Sequence, residues 1–255
     1  MDMQATNRSG RFPASLKRWG KIAFDLVFPR NCPLCNRTLD ERDEGCICPT
    51  CLAAFKRIEP PMCHWCGRPV EGAISDEFVC SQCAGKKLHY DRALSAVLAD
   101  ARMLDVIHRF KYQRELYFGP HMAQLLIECA TKHVDWTKIH GILPVPLHPR
   151  KERHREFNQA RVLTDALGKR FATPVILGNL RRVVDTPSQT FLGAEERQKN
   201  LRDAFHARKP EEFQGKTLVL VDDVYTTGAT SNACARELKK AGAGKVLVLT
   251  LARAT

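Results

Sequence analysis

Leu218-Val-Leu-Val-Asp-Asp-Val-Tyr-Thr-Thr-Gly-Ala-Thr230 is the stretch whose reading decides the fold. Four apolar residues without alternation, Leu218 to Val221, suit a strand buried on both faces of a parallel sheet. Asp222 and Asp223 follow at its carboxyl end, where open α/β sheets bind ligands. A short loop of hydroxyls and glycine leads into a helical run from about Ala229 to Ala241. The amides and hydroxyls of Thr226, Thr227, Gly228, Ala229 and Thr230 can converge with the helix N-terminus on one phosphate. The two carboxylates are then placed to accept hydrogen bonds from sugar hydroxyls. Phosphate and diol together describe a ribose 5-phosphate site.

Two rival folds fit less well. A receiver domain opening on this strand needs about a hundred further residues, and 25 follow Thr230. A nucleotide-binding P-loop fails because the Gly215-Lys216-Thr217 run has Pro210 where the first glycine belongs, and it precedes its strand. A buried strand with no ligand leaves tandem acids uncompensated, which is costly.

Working outward, strands are expected at Ala93–Ala99, Ile139–Val145, Val175–Leu180 and Val246–Leu251, with helices at 103–110, 120–133 and 157–171. Pro144-Val145-Pro146-Leu147 opens a cationic loop, His148 to Arg155, in which Arg150, Arg153 and Arg155 form a candidate pyrophosphate clamp. The Arg181 to Phe205 linker, with Arg182, Thr186, Gln189, Arg197 and Asn200, reads as a mobile lid. Phe110-Lys111-Tyr112 mixes aromatic and basic groups, which suits either base stacking or a plain core beside a solvated lysine.

Ahead of this domain stand four Cys-x-x-Cys pairs: Cys32/Cys35, Cys48/Cys51, Cys63/Cys66 and Cys80/Cys83. Two such knuckles complete a tetrahedron of sulfurs at about 2.3 Å from one Zn²⁺. Sequential pairing into two structural zinc ribbons is favoured, spacing alone leaves interleaved pairing open, and Cys46 is a spare that could replace Cys48. Four thiolates leave no open position, so these metals hold the module together and do no chemistry. Cys129 and Cys234 fall on helical stretches as core cysteines.

The division expected is 1–28 as a tail and amphipathic helix, 29–88 as a double zinc ribbon, and 89–255 as the α/β domain. The net charge of +12 lies mostly in the second half, since residues 1–89 contribute +3 and 90–255 contribute +9. A polyanionic phosphate ligand accounts for part of that excess, and nucleic acid for the rest. No apolar run reaches the roughly 20 residues of a membrane span, and a cytoplasmic location is expected.

The acidic strand and its turn resemble the phosphoribosyl pyrophosphate signature of type I phosphoribosyltransferases. With the cysteine pairs, Phe110-Lys111-Tyr112, Pro144 to Leu147, Phe157-Asn158-Gln159 and the linker, the chain resembles the ComF family of competence-associated proteins. That resemblance implies a phosphoribosyltransferase-like parallel sheet behind a double zinc ribbon, and a role in DNA uptake or use during natural transformation. It implies phosphoribosyl pyrophosphate with Mg²⁺ as ligand, single-stranded DNA as partner, and contact with DNA-uptake or recombination proteins. Asp222 and Asp223 are the implied ribose-binding, catalytic pair. Glu156 departs from the pattern, which commonly has glycine there. Active transfer of ribose 5-phosphate to a base or amine stays open beside a binding role; a base pocket would have to come from residues 84–139 or from the zinc module.

Overall fold

A computed structural model describes residues 30–40, 43–72, 77–184, 201 and 203–254. The expected amphipathic helix before Pro29 lies outside them, as do Thr186, Gln189, Arg197 and Asn200 of the linker. The chain forms two compact units, Met1–Leu52 and Ala53–Thr255.

The first unit holds one cysteine cluster and most of the short helix α1 (Pro49–Ala53). Asp43 is buried there, where it accepts from Arg37 at 2.8 Å and from the Asp40 amide at 3.1 Å.

The second unit is built on a four-stranded, all-parallel sheet. Its strands are β1 (Arg92–Leu98), β2 (Gly141–Pro144), β5 (Thr217–Tyr225) and β6 (Lys245–Arg253), in the order β1-β6-β5-β2. A separate antiparallel pair joins β3 (Leu180–Arg182) to β4 (Phe205–Ala207). Leu218 to Val221 are fully buried, because the sheet is covered on both faces. Leu218 and Leu220 share a core with Cys234, Ala235 and Leu238 of α6 (Ala229–Lys240). The alternate residues Val219 and Val221 turn to the opposite face.

Helices start and stop for local reasons. In α2 (Ala101–Tyr112) the Asp100 side chain caps the Met103 amide at 2.9 Å. Met103, Val106, Ile107 and Phe110 bury one face of it, at i, i+3, i+4 and i+7. α3 (Gly119–His133) opens on Pro120, whose missing N–H costs nothing there. Asn158 caps α5 (Gln159–Phe171) by accepting from the Ala160 amide, and ties it to β2 by donating to the Val145 carbonyl at 3.1 Å.

Three expectations need correction. The segment after His148 is a helix, α4 (Pro149–Arg155), since His148 caps the Arg150 amide and Pro149 sits at the first turn. Val175 makes only an isolated parallel bridge to Ile142, and the strand forms later, at Leu180–Arg182. β5 does not stop at Val221 but runs on to Tyr225, because β6 continues to pair with it through Arg253. Both acids are therefore strand residues.

The second cysteine cluster belongs to this unit. The Ala93 amide donates to the Trp65 carbonyl at 2.7 Å, and the Ile58 amide donates to the Ala96 carbonyl at 3.0 Å. A side chain at Gly67 would place its Cβ 2.7 Å from the Ala93 carbonyl, so the knuckle lies against β1 only as glycine.

Candidate functional site

The site begins where β5 carries its acids to the edge of the sheet. Asp222 lies opposite Thr250 in the β5–β6 register, and its carboxylate accepts from the Asp223 amide at 2.9 Å. Burial, and then the charge of Asp223, push the Asp222 carboxyl up to about 7, with Lys111 pulling the other way. Asp223 is 8% exposed and makes a close ion pair with the Lys111 ammonium. Lys111 arrives from the last turn of α2.

Beyond Tyr225 the chain turns through Thr226, Thr227 and Gly228 into α6. Thr226 and Thr227 are exposed, and Thr230 is half-buried. Gly228 is the N-cap with φ +76 and has no side chain with which to cap this end of α6. A Cβ at Gly228 would come 2.2 Å from the Tyr225 hydroxyl, so both backbone sign and space require glycine. Thr227 Oγ1 accepts weakly from the Ala229 amide at 3.4 Å. The result is an open turn at the positive end of a three-turn helix, next to a half-neutralised acid pair. Such a turn can hold a phosphate, and the acids can hold hydroxyls.

Tyr225 fixes the turn from below. Its hydroxyl meets that of Tyr90 at 2.7 Å, and its ring lies 4.6 Å under the Arg253 guanidinium. Burial raises both phenols, Tyr225 to about 12 and Tyr90 further, so the pair stays neutral at physiological pH. Arg253 is 1% exposed and donates to the Cys66 carbonyl at 2.7 Å. Asn232 of α6 accepts from the His89 amide at 2.6 Å and donates to the Lys87 carbonyl at 3.2 Å. The second cysteine ribbon is thereby hydrogen-bonded to β6, which pairs with β5, and to α6, which starts at the turn.

The three clamp arginines all lie on α4, at the carboxyl end of β2, which neighbours β5. Arg150 and Arg153 are exposed. Arg155 is engaged elsewhere: it donates to the Tyr112 hydroxyl at 2.9 Å and to Gln159 at 3.2 Å, over the Tyr112 ring. Glu156 sits at the C-cap of α4 with φ +64 and accepts from Arg114 at 2.7 Å. Arg182, on β3, is buried over the Phe205 ring. A cavity of about 720 Å³ is lined by Leu147, His148, Asn158, Arg161, Leu177 and Arg182 among others. It includes none of Asp222 to Thr230.

Sequence reading missed Lys111 and Arg253 as parts of this site. The signal for Lys111 was the need of two adjacent acids on a buried strand for a cation. For Arg253 it was a charged residue closing an apolar strand, Lys245 to Arg253.

The cysteines gather as two sets, Cys32, Cys35, Cys48 and Cys51, and Cys63, Cys66, Cys80 and Cys83. Within each set all four sulfurs lie within 4.8 Å of one another. Cys35 and Cys48 sulfurs are 3.6 Å apart, as are those of Cys66 and Cys80. Four sulfurs at about 2.3 Å from one Zn²⁺ stand about 3.8 Å apart, so both sets fit the ion. Amides of Cys48 and Cys80 point at the Cys32 and Cys63 sulfurs at 3.4 Å. Burial raises Cys32 and Cys63, but those amide bonds outweigh it and bring them down to about 6 and about 7. Burial and neighbouring sulfurs push Cys51 up to about 12, and burial pushes Cys66 up to about 11. Four thiolates so close together need a dication. Cys46 lies outside the set, and Cys129 and Cys234 are buried core cysteines on α3 and α6.

An all-parallel α/β sheet, preceded in the chain by two four-cysteine zinc sites, defines the class. Residues 23–84 match the double zinc ribbon domain model. The chain is 30% identical to Competence protein F of Haemophilus influenzae, over 89% of this chain and 98% of that protein. It is 30% identical to DNA utilization protein YhgH of Escherichia coli, over 89% of this chain and 99% of that one. Among solved structures it is similar to adenine phosphoribosyltransferase of Thermoanaerobacter pseudethanolicus. That likeness has 15% identity, covers 55% of this chain and 83% of the other, and has a TM-score of 0.35. The chain belongs to the ComF family of competence and DNA-utilization proteins.

Proposed function

We propose that this chain binds phosphoribosyl pyrophosphate with Mg²⁺ at the β5–α6 turn, and single-stranded DNA, in the service of DNA uptake and use in the cytoplasm. The observation that carries the reading is the exposed Thr226–Thr227 turn at the N-terminal end of α6, adjoining Asp222 and Asp223. Phosphate would sit on the turn, and the ribose hydroxyls would donate to the acids. Mg²⁺ would bridge the pyrophosphate near those carboxylates, and Arg150 and Arg153 would add charge-assisted bonds from α4. The names of the relatives speak of competence and DNA utilization, which supports the DNA role and the uptake or recombination proteins as partners. Among the described residues no helix is long and apolar enough to cross a membrane.

Calorimetric titration of the zinc-loaded chain with phosphoribosyl pyrophosphate and Mg²⁺ tests the ligand. Saturable binding is expected, weakened tenfold or more in the Asp222→Asn, Asp223→Asn double variant. A wild-type chain that gives no binding refutes the reading. Pyrophosphate release in the presence of one acceptor base, and not without it, would turn the binding protein into a transferase.

A further inference from the structure

Between the second zinc ribbon and the phosphate turn lies a cleft of about 300 Å³. The ribbon supplies Arg68, Gln82 and Lys86 to it, and the sheet domain supplies Thr226, Thr227 and Arg253. None of the lining residues is acidic. Arg68 is half-buried and Lys86 exposed, and neither makes an ion pair with any described residue. Arg253 adds a second kind of evidence. It is 1% exposed, and its Nε has no hydrogen-bond partner although its Nη1 is bonded to Cys66. That Nε is closed to solvent, so Arg253 brings positive charge to the cleft wall and not an open donor.

The electrostatics favour an anion even with metal bound. Four thiolates around Zn²⁺ make a doubly negative cluster behind Cys66 and Cys83, and Arg253 stands beside it as counter-charge. Arg68 and Lys86 then remain to meet an incoming group. Leu88 and the Tyr225 side chain give the cleft an apolar wall as well. A cleft with cations at its rim, hydroxyls at one end and an apolar wall suits a sugar-phosphate unit with a base attached.

The geometry points to this cleft as a subsite for the phosphodiester backbone of single-stranded DNA, held between the second zinc ribbon and the β5–α6 turn. The inference rests on the DNA-binding reading above and gives that binding a location. About 300 Å³ is at the small end of ligand sites, enough for one nucleotide of a strand and not for a duplex. Thr226 and Thr227 border both this cleft and the phosphate turn. Phosphoribosyl pyrophosphate and the strand therefore weaken each other's binding by the same factor.

The test is fluorescence anisotropy of a labelled oligothymidylate with the full, zinc-loaded chain at several salt concentrations. Variants are Arg68→Gln, Lys86→Gln and their combination, with Lys169→Gln as an exposed control. Zinc content and calorimetric binding of phosphoribosyl pyrophosphate are followed in each. The double variant is expected to bind the strand tenfold or more weakly. Its salt slope should shrink by about 1.4, at about 0.7 for each phosphate that is no longer neutralised, while zinc content stays at the wild-type level and the control keeps its slope. Wild-type affinity and slope in the double variant overturn the inference, as does thymidine monophosphate binding as tightly as the strand. A wild-type chain that binds no strand instead sinks the DNA-binding reading itself.

Discussion

Lys111→Met removes the cation that faces the acid pair while keeping the length of its apolar stem. Lys111 and Asp223 are 17% and 11% exposed at their side chains and are ion-paired, and Asp222 lies alongside. Removing one partner of a buried pair costs about 3–5 kcal/mol, because the other charge is left uncompensated. The residual exposure of both ends puts this case near 3 kcal/mol. The loss depends on pH, and the sign follows from Asp222. Its folded pKa of about 7 stands above the ordinary 3.8, so the folded chain binds more protons than the unfolded chain between those values. Stability therefore falls as pH rises through that window. Lys111 holds Asp222 down, and without it the fall is steeper and extends to higher pH. At pH 5 Asp222 is protonated with or without Lys111; at pH 8 the wild type carries its charge near Lys111. The variant must then either hold that charge without the cation or keep the proton, so the loss grows with pH. Urea unfolding followed by circular dichroism should show a loss near 3 kcal/mol at pH 8, smaller by at least about 1 kcal/mol at pH 5. Equal losses at the two pH values, or a loss below about 0.5 kcal/mol at pH 8, would refute the reasoning.

Glu156 holds a left-handed conformation at φ +64, which costs an L-residue about 1–2 kcal/mol and costs glycine little. Glu156→Gly removes that strain and forfeits an exposed pair with Arg114, so a net gain of about 0.5 kcal/mol in urea unfolding is expected. Metal loss should separate the two cysteine sets. Cys35→Ser and Cys80→Ser are each expected to lower zinc, measured with a metallochromic indicator, by one ion per chain. Only Cys80→Ser should lower the melting midpoint of the α/β unit, since Cys80 shares a core with Leu218 and Val246. A cost of about 4 kcal/mol corresponds to roughly 8–16 °C.

The buried sheet was readable because its evidence is dense and local. An unalternating apolar run, two acids and a hydroxyl-rich turn occupy 13 consecutive residues, and the structure places them on β5 and at the start of α6. Knuckle spacing made the zinc sites readable for the same reason. What escaped the sequence depends on long-range pairing. β5 reaches Tyr225 because β6 runs alongside it, and no local propensity of Asp222-Asp223 announces that. The Phe110-Lys111-Tyr112 triplet was legible as a mixture, but its three fates were not. Phe110 is in the core, Lys111 is on Asp223, and Tyr112 is under Arg155. The helix at Pro149–Arg155 was hidden by its charge density, though Pro149 after a capping His148 is a start signal.

The composition of the chain changes at 88/89, where cysteine knuckles give way to apolar strands, yet the compact unit begins at Ala53. The reason lies in how little a ribbon of some 20 residues can bury by itself. The second ribbon adds to its metal site a core shared with the sheet: Cys63, Cys66, Cys80 and Cys83 are at most 7% exposed among Tyr90, Tyr225 and Val246. Its backbone is bonded to β1 through Trp65 and to the end of β6 through Cys66. Arg253, bonded to Cys66, then lies over the ring of Tyr225, the residue immediately before the β5–α6 turn. A turn that is to hold an anion on its amides needs a fixed frame, and Tyr225 at its foot packs with Tyr90 and Arg253 beside the ribbon. The second ribbon and the β5–α6 turn are therefore parts of one packed unit made of two sequence modules.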